Sequence, residues 1–410
     1  MQYPNARFFR DNFPWLAAGM LMAFSSSYGQ TYFISIFAGE IRAEFGLSHA
    51  GWGTIYSAGT LISAVLMIVL GGLIDRMRVR SLGAAILVLL AGACLAMASV
   101  PAAWALVPVI LGLRFAGQGM CSHIATTAMA RWFVASRGRA LATATMGFAL
   151  GESILPIAFV AALRVTDWRT LWVVAACLAL AAIPVLFLLL RRERTPQSMG
   201  DAHQSPGLQG RHWTRAEVIR HPLFWCSVPL IIGPAAFITA LFFQQVHLAE
   251  RKGWSHVEFV SLFPLYTAVT IAAMIASGVL IDRFGTARLM RVFQFPMMAG
   301  FVLMGLGQGI WAGAGAMALI ALSHGANTTL PTAFWADYFG TRHLGAIRAL
   351  AAAIMVFGTA LGPILTGWLI DAGIPFDQQM PVIALYFVAT SLLISVGLAA
   401  SGDPTSVREV

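Results

Sequence analysis

Apolar residues in this chain come in long continuous runs separated by short polar breaks. Twelve runs stand out, at about 14–37, 52–74, 82–100, 104–129, 139–163, 170–190, 223–248, 258–281, 288–309, 311–335, 345–371 and 379–400. Each is close to the twenty or so residues that cross a bilayer as a helix. Helix is the state that lipid permits for such a run, because every backbone hydrogen bond must be closed within the segment. A membrane barrel would need shorter segments of alternating polarity. The pattern predicts an all-α membrane protein with twelve transmembrane helices and no large soluble domain.

The polar break after the second run, Gly71-Gly72-Leu73-Ile74-Asp75-Arg76-Met77-Arg78-Val79-Arg80, returns after the eighth as Gly278-Val279-Leu280-Ile281-Asp282-Arg283-Phe284-Gly285. The shift is constant: 278 − 71, 282 − 75 and 283 − 76 all give 207. The same register holds for Gly138 and Gly345, Gly151 and Gly358, and Pro156 and Pro363. An Asp-Arg pair and a proline in one register identify a unit used twice. Between the sixth and seventh runs lies the one long polar stretch, Arg191 to His221, with Thr195-Pro196-Gln197-Ser198 and Ser205-Pro206-Gly207, which reads as a linker. Within it, Trp213 to Arg220 can form a short amphipathic helix on the inner leaflet. The expected organisation is a six-helix half over 1–190, a cytoplasmic linker over 191–221 and a second six-helix half over 222–410. An even span number keeps both halves in one orientation, with a pseudo-twofold axis along the membrane normal.

Composition agrees with this reading. The chain is 59% hydrophobic and 10% charged, against about 25% charged in soluble domains. Arginine, not lysine, carries the net charge of +9, and it is concentrated in alternate breaks. Arg7 and Arg10 precede the first span, and Arg76, Arg78 and Arg80 follow the second. Arg131, Arg137 and Arg139 follow the fourth, the linker holds six more, and Arg283, Arg288 and Arg291 follow the eighth. That bias predicts both termini in the cytoplasm, and a bacterial inner membrane is the expected location. No contiguous basic face exists, so a nucleic-acid partner is not expected. Cys94, Cys121, Cys177 and Cys226 lie in apolar runs without metal or disulfide spacing, and read as packing residues. The basic-then-apolar start is span-length and has no clear cleavage site, so it reads as a retained first helix.

Gly71, Asp75, Arg76 and Arg80 match a loop signature, and with twelve spans and a central linker the chain resembles the major facilitator superfamily over essentially its whole length. Arg78 stands where that family usually has glycine, whereas the second copy keeps Gly285. Three patterns resemble the family's monocarboxylate and oxalate-type branch: Trp132-Phe133 with Arg137-Gly138-Arg139-Ala140, Phe242-Phe243-Gln244-Gln245 with Lys252-Gly253-Trp254-Ser255, and Gly358, Gly362-Pro363 and Gly367-Trp368 through Asp371. Members that bind carboxylates often carry basic residues in the eighth and eleventh helices; here the eighth has none and the eleventh only Arg348. The resemblance implies two halves rocking about a midplane site, a cavity lined by the first, fourth, seventh and tenth helices, and a gating loop. The gating residues it points to are Asp75, Arg76, Arg80, Arg139, Asp282 and Arg283, with Arg139 or the start of the eleventh helix near Gly345 as partners of the aspartates.

Arg114 lies about ten residues into the fourth span, roughly 15 Å deep at 1.5 Å per residue. A charge at that depth costs at least about 2.5–3.5 kcal/mol on insertion scales, so it is expected to face protein or a wet cavity. Gln118 and Ser122 continue its stripe at i+4 and i+8, with His123 opposite as a packing residue. Glu152 is the one carboxylate deep within a span and also sits near the midplane. Arg114 reads either as a static partner of Glu152 or as an anion-binding cation, and Glu152 as a proton carrier. The first span breaks its apolar run at Ser25 to Tyr32, where Tyr28 and Tyr32 share a face and Ser27, Gln30 and Thr31 share another. Gln244, Gln245 and His247 follow a break at Gly233-Pro234 in the seventh span. The tenth contributes His324, Asn327, Thr328 and Trp335. Gly147 with Gly151, and Gly358 with Gly362, have the spacing of close helix packing.

Gly305, Gly307 and Gly309 lie inside an apolar run and are no nucleotide fingerprint, and no Walker lysine, HExxH or nucleophile elbow occurs. An enzyme, a cofactor and a metal site are therefore not expected. The expected function is secondary transport of a small organic anion, a mono- or dicarboxylate, coupled to protons or run as exchange, by a monomer. The alternative is a proton-coupled efflux carrier for amphipathic drugs or metabolites.

Overall fold

The computed structural model describes residues 4–133, 137–192, 207–340 and 342–401. Of the positions singled out above, Arg194, Thr195 to Ser198, Ser205 and Pro206 lie outside the described residues, as do the side chains of Arg7, Asp75 and Arg137 and the surroundings of Gly138 and Gly345. Every regular element among the described residues is helical. Eleven of these helices are long and apolar enough to cross a membrane, from His49–Leu70 to Phe376–Ser401. The twelfth span is the first, and it is broken: Phe13–Ser25, a 3-10 turn Ser26–Gly29, Thr31–Ile34, a second 3-10 turn Ser35–Phe37, then Ala38–Phe45. The polar run from Ser25 to Thr31 is the cause, since serines and glycine bond locally and weaken the helix there. The chain is thus an integral, multi-pass, all-α protein, and it folds as two compact units, Met1–Asp201 and Ala202–Val410.

The 207-residue register carries into the helix boundaries. Helices start at His49 and His256, at Val79 and Thr286, and at Arg137 and Leu344. In each case the difference is 207, and the fourth and tenth spans end at Trp132 and Phe339, also 207 apart. Within the first unit the first span packs on the fifth, the second on the fourth and the third on the sixth. Within the second unit the seventh packs on the eleventh, the eighth on the tenth and the ninth on the twelfth. Glycines set the closest approaches: a Cβ on Gly147 would strike the Met20 carbonyl, and one on Gly362 the Ala236 carbonyl. The copies differ at the turn after the repeated Asp-Arg pair. Gly285 takes φ 74°, whereas Arg78 sits at φ −66°, because a positive φ is open to glycine at little cost and disfavoured for arginine. The helix runs unbroken through Asp282 in the second copy, Phe263–Phe284, but stops at Leu70 in the first and restarts as Leu73–Arg76.

One expectation needs correction and another refinement. Gly233-Pro234 does not break the seventh span, which runs Pro222–Phe243 through both residues. Proline removes the N–H that would bond the carbonyl four residues back. That carbonyl, on Leu230, accepts Gln294 Nε2 at 2.5 Å instead, and Gln294 Oε1 in turn accepts Thr390 Oγ1 at 3.0 Å. The break falls later, at Gln244, before the helix Gln245–Lys252. The segment after Gly207 does hold the expected short helix, but its apolar side packs on the second unit rather than lying free. Its helix Arg215–Arg220 starts from a capping box of Thr214 and Glu217. Trp213 and Val218 are buried with Leu208, Tyr338 and Phe339 in the core of the second unit, and the Trp213 amide donates to the Phe339 carbonyl at 3.0 Å.

Gln294 is 1% exposed, so its loss strands a desolvated carbonyl. Gln294→Leu is expected to destabilise the protein by about 1–3 kcal/mol, the cost of one orphaned buried acceptor. Thermal unfolding of the purified protein checks this; an unchanged midpoint would show that Leu230 finds another donor.

Candidate functional site

The break in the first span places backbone, not side chains, against the fourth. Gln30 is extended (φ −85°, ψ 152°), so the carbonyls just before it leave the helical ladder. The facing part of the fourth span, Arg114–Cys121, is a π-helix between Leu106–Leu113 and Ser122–Trp132. Bonding from i to i+5 widens the turn, and such segments concentrate at functional sites. Gly29 and Gly117 meet with nothing between them: a Cβ on Gly117 would lie 2.7 Å from Gly29 Cα.

Arg114 is 1% exposed and fills this seam. Its Nη1 donates to the Gly29 carbonyl at 3.1 Å and to Thr31 Oγ1 at 3.4 Å. The guanidinium carbon lies 5.3 Å from the centre of the Tyr56 ring, and Tyr56 Oη is 2.5 Å from Thr31 Oγ1. Nε is buried without a hydrogen-bond partner. These partners of the cation are all neutral, and Glu152 is not among them. Glu152 is buried, 5% exposed, beside Gly151, which packs on Ser27 and the Phe24 carbonyl. It lies within electrostatic reach of Tyr32.

The π-segment and the 3-10 turn alter two geometric expectations built on regular α-helix. The stripe Arg114, Gln118, Ser122 is not uniform: Arg114 is buried, whereas Gln118 and Ser122 are half-buried. Tyr28 and Tyr32 do not act as a pair. Tyr32 donates to Ser27 Oγ at 2.8 Å, while Tyr28 packs edge-on against Phe33 with centroids 5.4 Å apart. Gln30 is buried between them in sequence, 9% exposed. Tyr56 is a site residue that sequence reasoning missed; a tyrosine inside an otherwise apolar second span was the available signal.

In the second unit the candidate residues occupy separate contacts. Gln244 Nε2 donates to Thr366 Oγ1 at 3.3 Å, and Gln245 Oε1 is 3.3 Å from His256 Nε2. His247 Nε2 accepts the Phe376 amide at 3.5 Å. His324 Nδ1 is 2.6 Å from Tyr266 Oη, a second tyrosine that sequence reasoning missed. Asn327 Oδ1 and Trp335 Nε1 are buried without hydrogen-bond partners.

The repeated loop is held from behind by the fourth span. His123 Nε2 lies 3.1 Å from the Gly71 carbonyl, and Arg131 Nη1 donates to the Ile74 carbonyl at 3.1 Å. A cavity of about 330 Å³ opens there, lined by Met67, Ile68, Gly71, Gly72, Ile74, His123 and Thr127. Among the gating candidates, Arg76, Arg80, Arg139, Asp282 and Arg283 are all exposed. Arg80 lies 4.8 Å over the Phe187 ring, Arg139 4.9 Å over Phe8 and Arg283 5.3 Å over Phe284. In the second copy Thr286 Oγ1 donates to Asp337 Oδ2 at 2.8 Å.

Comparison with known proteins adds a family. The family model described as Major Facilitator Superfamily matches residues 19–346 and 241–408. A protein of Thermoproteus tenax described as an uncharacterized 38 kDa protein in the 23S RNA operon is 26% identical over 391 residues, covering 94% of this chain and 95% of that one. Among solved structures, a bacterial homologue of the human lysosomal transporter Spinster, inward-facing and unoccupied, superposes with a TM-score of 0.67 at 18% identity over 94% of this chain and 95% of that one. The nucleoside transporter NupG superposes with a TM-score of 0.68 at 14% identity over 93% of this chain and 98% of that one.

The glycine seam is the most exacting part of the site. Gly117→Ala and Gly29→Ala are each expected to push the first and fourth spans apart and detach Arg114 from the Gly29 carbonyl. The check is a lowered unfolding midpoint for both. Gly92→Ala is the control and does not lower the midpoint, because a Cβ there would meet nothing within 4 Å and alanine suits a helix interior better than glycine.

Proposed function

The chain belongs to the Major Facilitator Superfamily and is a secondary transporter of a small molecule rather than an enzyme, and we propose that its cargo is a small organic anion, a mono- or dicarboxylate. One observation carries this reading: a fully buried guanidinium whose partners are a carbonyl, a hydroxyl and a ring face. Dipoles and a π-face stabilise a cation but leave its charge uncompensated, and an unpaired charge in a low-dielectric setting is costly. A carboxylate cargo supplies the missing countercharge, and the unengaged Nε supplies a donor for it.

Transport runs by alternating access, with Arg114 attracting the anion and Gln30, Gln118, Tyr28 and Tyr32 shaping its surroundings. Gln244, Gln245, His247, His324 and Asn327 supply the neutral contacts of the second unit. Glu152 carries the proton, since a buried carboxyl that is not bonded to Arg114 can change protonation without breaking a pair with that cation. Asp75, Arg76, Arg80, Arg139, Asp282 and Arg283 set the resting position of the loops. The arginine bias of the breaks supports cytoplasmic termini in a bacterial inner membrane, and the protein works as a monomer.

The test is uptake into proteoliposomes of radiolabelled lactate, oxalate and succinate, with a nucleoside and an amphipathic cation as alternative cargoes. Arg114→Ala is expected to lower uptake of the accepted anion at least tenfold. Glu152→Gln is expected to abolish its dependence on an imposed pH gradient while sparing anion exchange. Uptake of the nucleoside or the cation alone, or full activity in both variants, contradicts the reading.

A further inference from the structure

The first and seventh spans each finish in a short helix, Ala38–Phe45 and Gln245–Lys252. Both are closed by a left-handed glycine, Gly46 at φ 62° and Gly253 at φ 69°, and 253 − 46 is 207. Ser48 and Ser255 then cap the next helices with their side chains, again 207 apart. Against this matched frame the charges are inverted. Glu44 stands where the other unit has Arg251 (251 − 44 = 207), and Phe45 where it has Lys252 (252 − 45 = 207), the chain's one lysine.

The partners are inverted too. Glu44 Oε1 pairs with Arg169 at 2.5 Å, and Arg251 pairs with Asp377 at 3.3 Å. Arg169 and Asp377 are each the second residue of their helices, Trp168–Leu189 and Phe376–Ser401, although 377 − 169 is 208, one position past the repeat register, where Phe376 stands. The bond from Arg169 holds the Glu44 carboxyl below the usual carboxylate range. Acid and base have exchanged helices.

One target is shared. Arg169 donates to the Ala98 carbonyl at 2.8 Å and the Val100 carbonyl at 2.9 Å. Lys252 donates to the Gly305 carbonyl at 2.6 Å and the Gly307 carbonyl at 3.0 Å. Gly305 and Gly307 are the 207-shifted counterparts of Ala98 and Val100 (305 − 98 and 307 − 100). These carbonyls lie at the C-terminal ends of the third and ninth spans, where a helix leaves its acceptors unpaired and carries the negative end of its dipole.

We propose that the two clusters are one clip used twice with its charges exchanged, and that it positions the outer pieces of the broken first and seventh spans against the ends of the third and ninth. An ion pair is indifferent to which helix supplies which sign, but a helix C-terminus needs a donor and favours a cation over an anion. In the first unit Arg169 serves both demands, its planar fork reaching the carboxylate and two carbonyls at once. In the second unit the place of that arginine at the helix start is taken by Asp377, which cannot cap a carbonyl. A second base is then required beside Arg251, and Lys252 is that base. The pieces so positioned continue into Gly29 and Thr31 in the first unit and carry Gln245 and His247 in the second.

The test transplants one clip into the other unit of the full-length protein. Arg169→Asp alone removes both the pair and the cap, and is expected to lower the thermal unfolding midpoint of the purified protein by several degrees. Adding Glu44→Arg and Phe45→Lys installs the second unit's arrangement in the first, and is expected to recover at least half of that loss. In the second unit, Lys252→Met is expected to lower the midpoint and Lys252→Arg to restore it. A triple variant no more stable than Arg169→Asp overturns the proposal, as does a Lys252→Met protein with an unchanged midpoint. Should Arg169→Asp fail to accumulate, recovery of folded protein by the triple variant supports the proposal and its equal failure counts against it.

Discussion

A carbonyl that the first span cannot satisfy meets a guanidinium that the fourth cannot leave in lipid, and the first unit is arranged around that contact. Membrane interiors offer no water to an exposed backbone group, so a helix breaks there only where another element supplies a donor. The first span turns extended at Gln30, and Arg114 reaches the Gly29 carbonyl because Gly29 and Gly117 let the two backbones touch. The π-helical widening of Arg114–Cys121 belongs to the same arrangement. The Leu230 carbonyl, freed by Pro234 and taken by Gln294, is the second unit's solution to the same constraint.

The repeat preserves the frame and not the chemistry. The residues 207 positions beyond Arg114, Gly29, Thr31 and Tyr56 are Ala321, Ala236, Ile238 and Phe263. The second unit thus keeps the helix boundaries and the helix pairs, but its equivalent of the cation seam is apolar. Its polar groups sit elsewhere, as in the pair of Tyr266 with His324, whose counterparts in the first unit are Gly59 and Gly117. Among the described residues the buried charges, Arg114 and Glu152, thus lie in the first unit, on a scaffold that both units share.

Much of the fold was legible because its causes are local in sequence. Span length and the Asp-Arg repeat need no knowledge of packing. What escaped were departures from regular helix. A stripe drawn at i+4 from Arg114 presumes α-helix, and a π-segment removes that presumption. A shared face for Tyr28 and Tyr32 presumes an unbroken turn between them. Gly233-Pro234 looked like a break because the rescuing donor, Gln294, lies 64 residues away. The choice between a Glu152 ion pair and an open cation for Arg114 depends on where two helices cross, which periodicity does not encode. The inverted clip was written in the chain as Glu44-Phe45-Gly46 against Arg251-Lys252-Gly253, but its partners, about 125 residues on, emerge only from the fold.

The most direct measurement is equilibrium binding, read as the thermal shift that a saturating carboxylate produces in purified protein, since a ligand that binds the folded state raises its apparent stability by mass action. A carboxylate that stabilises the native protein but not a folded Arg114→Leu variant is the predicted result. Equal stabilisation of both proteins would contradict a cation that waits for its counterion.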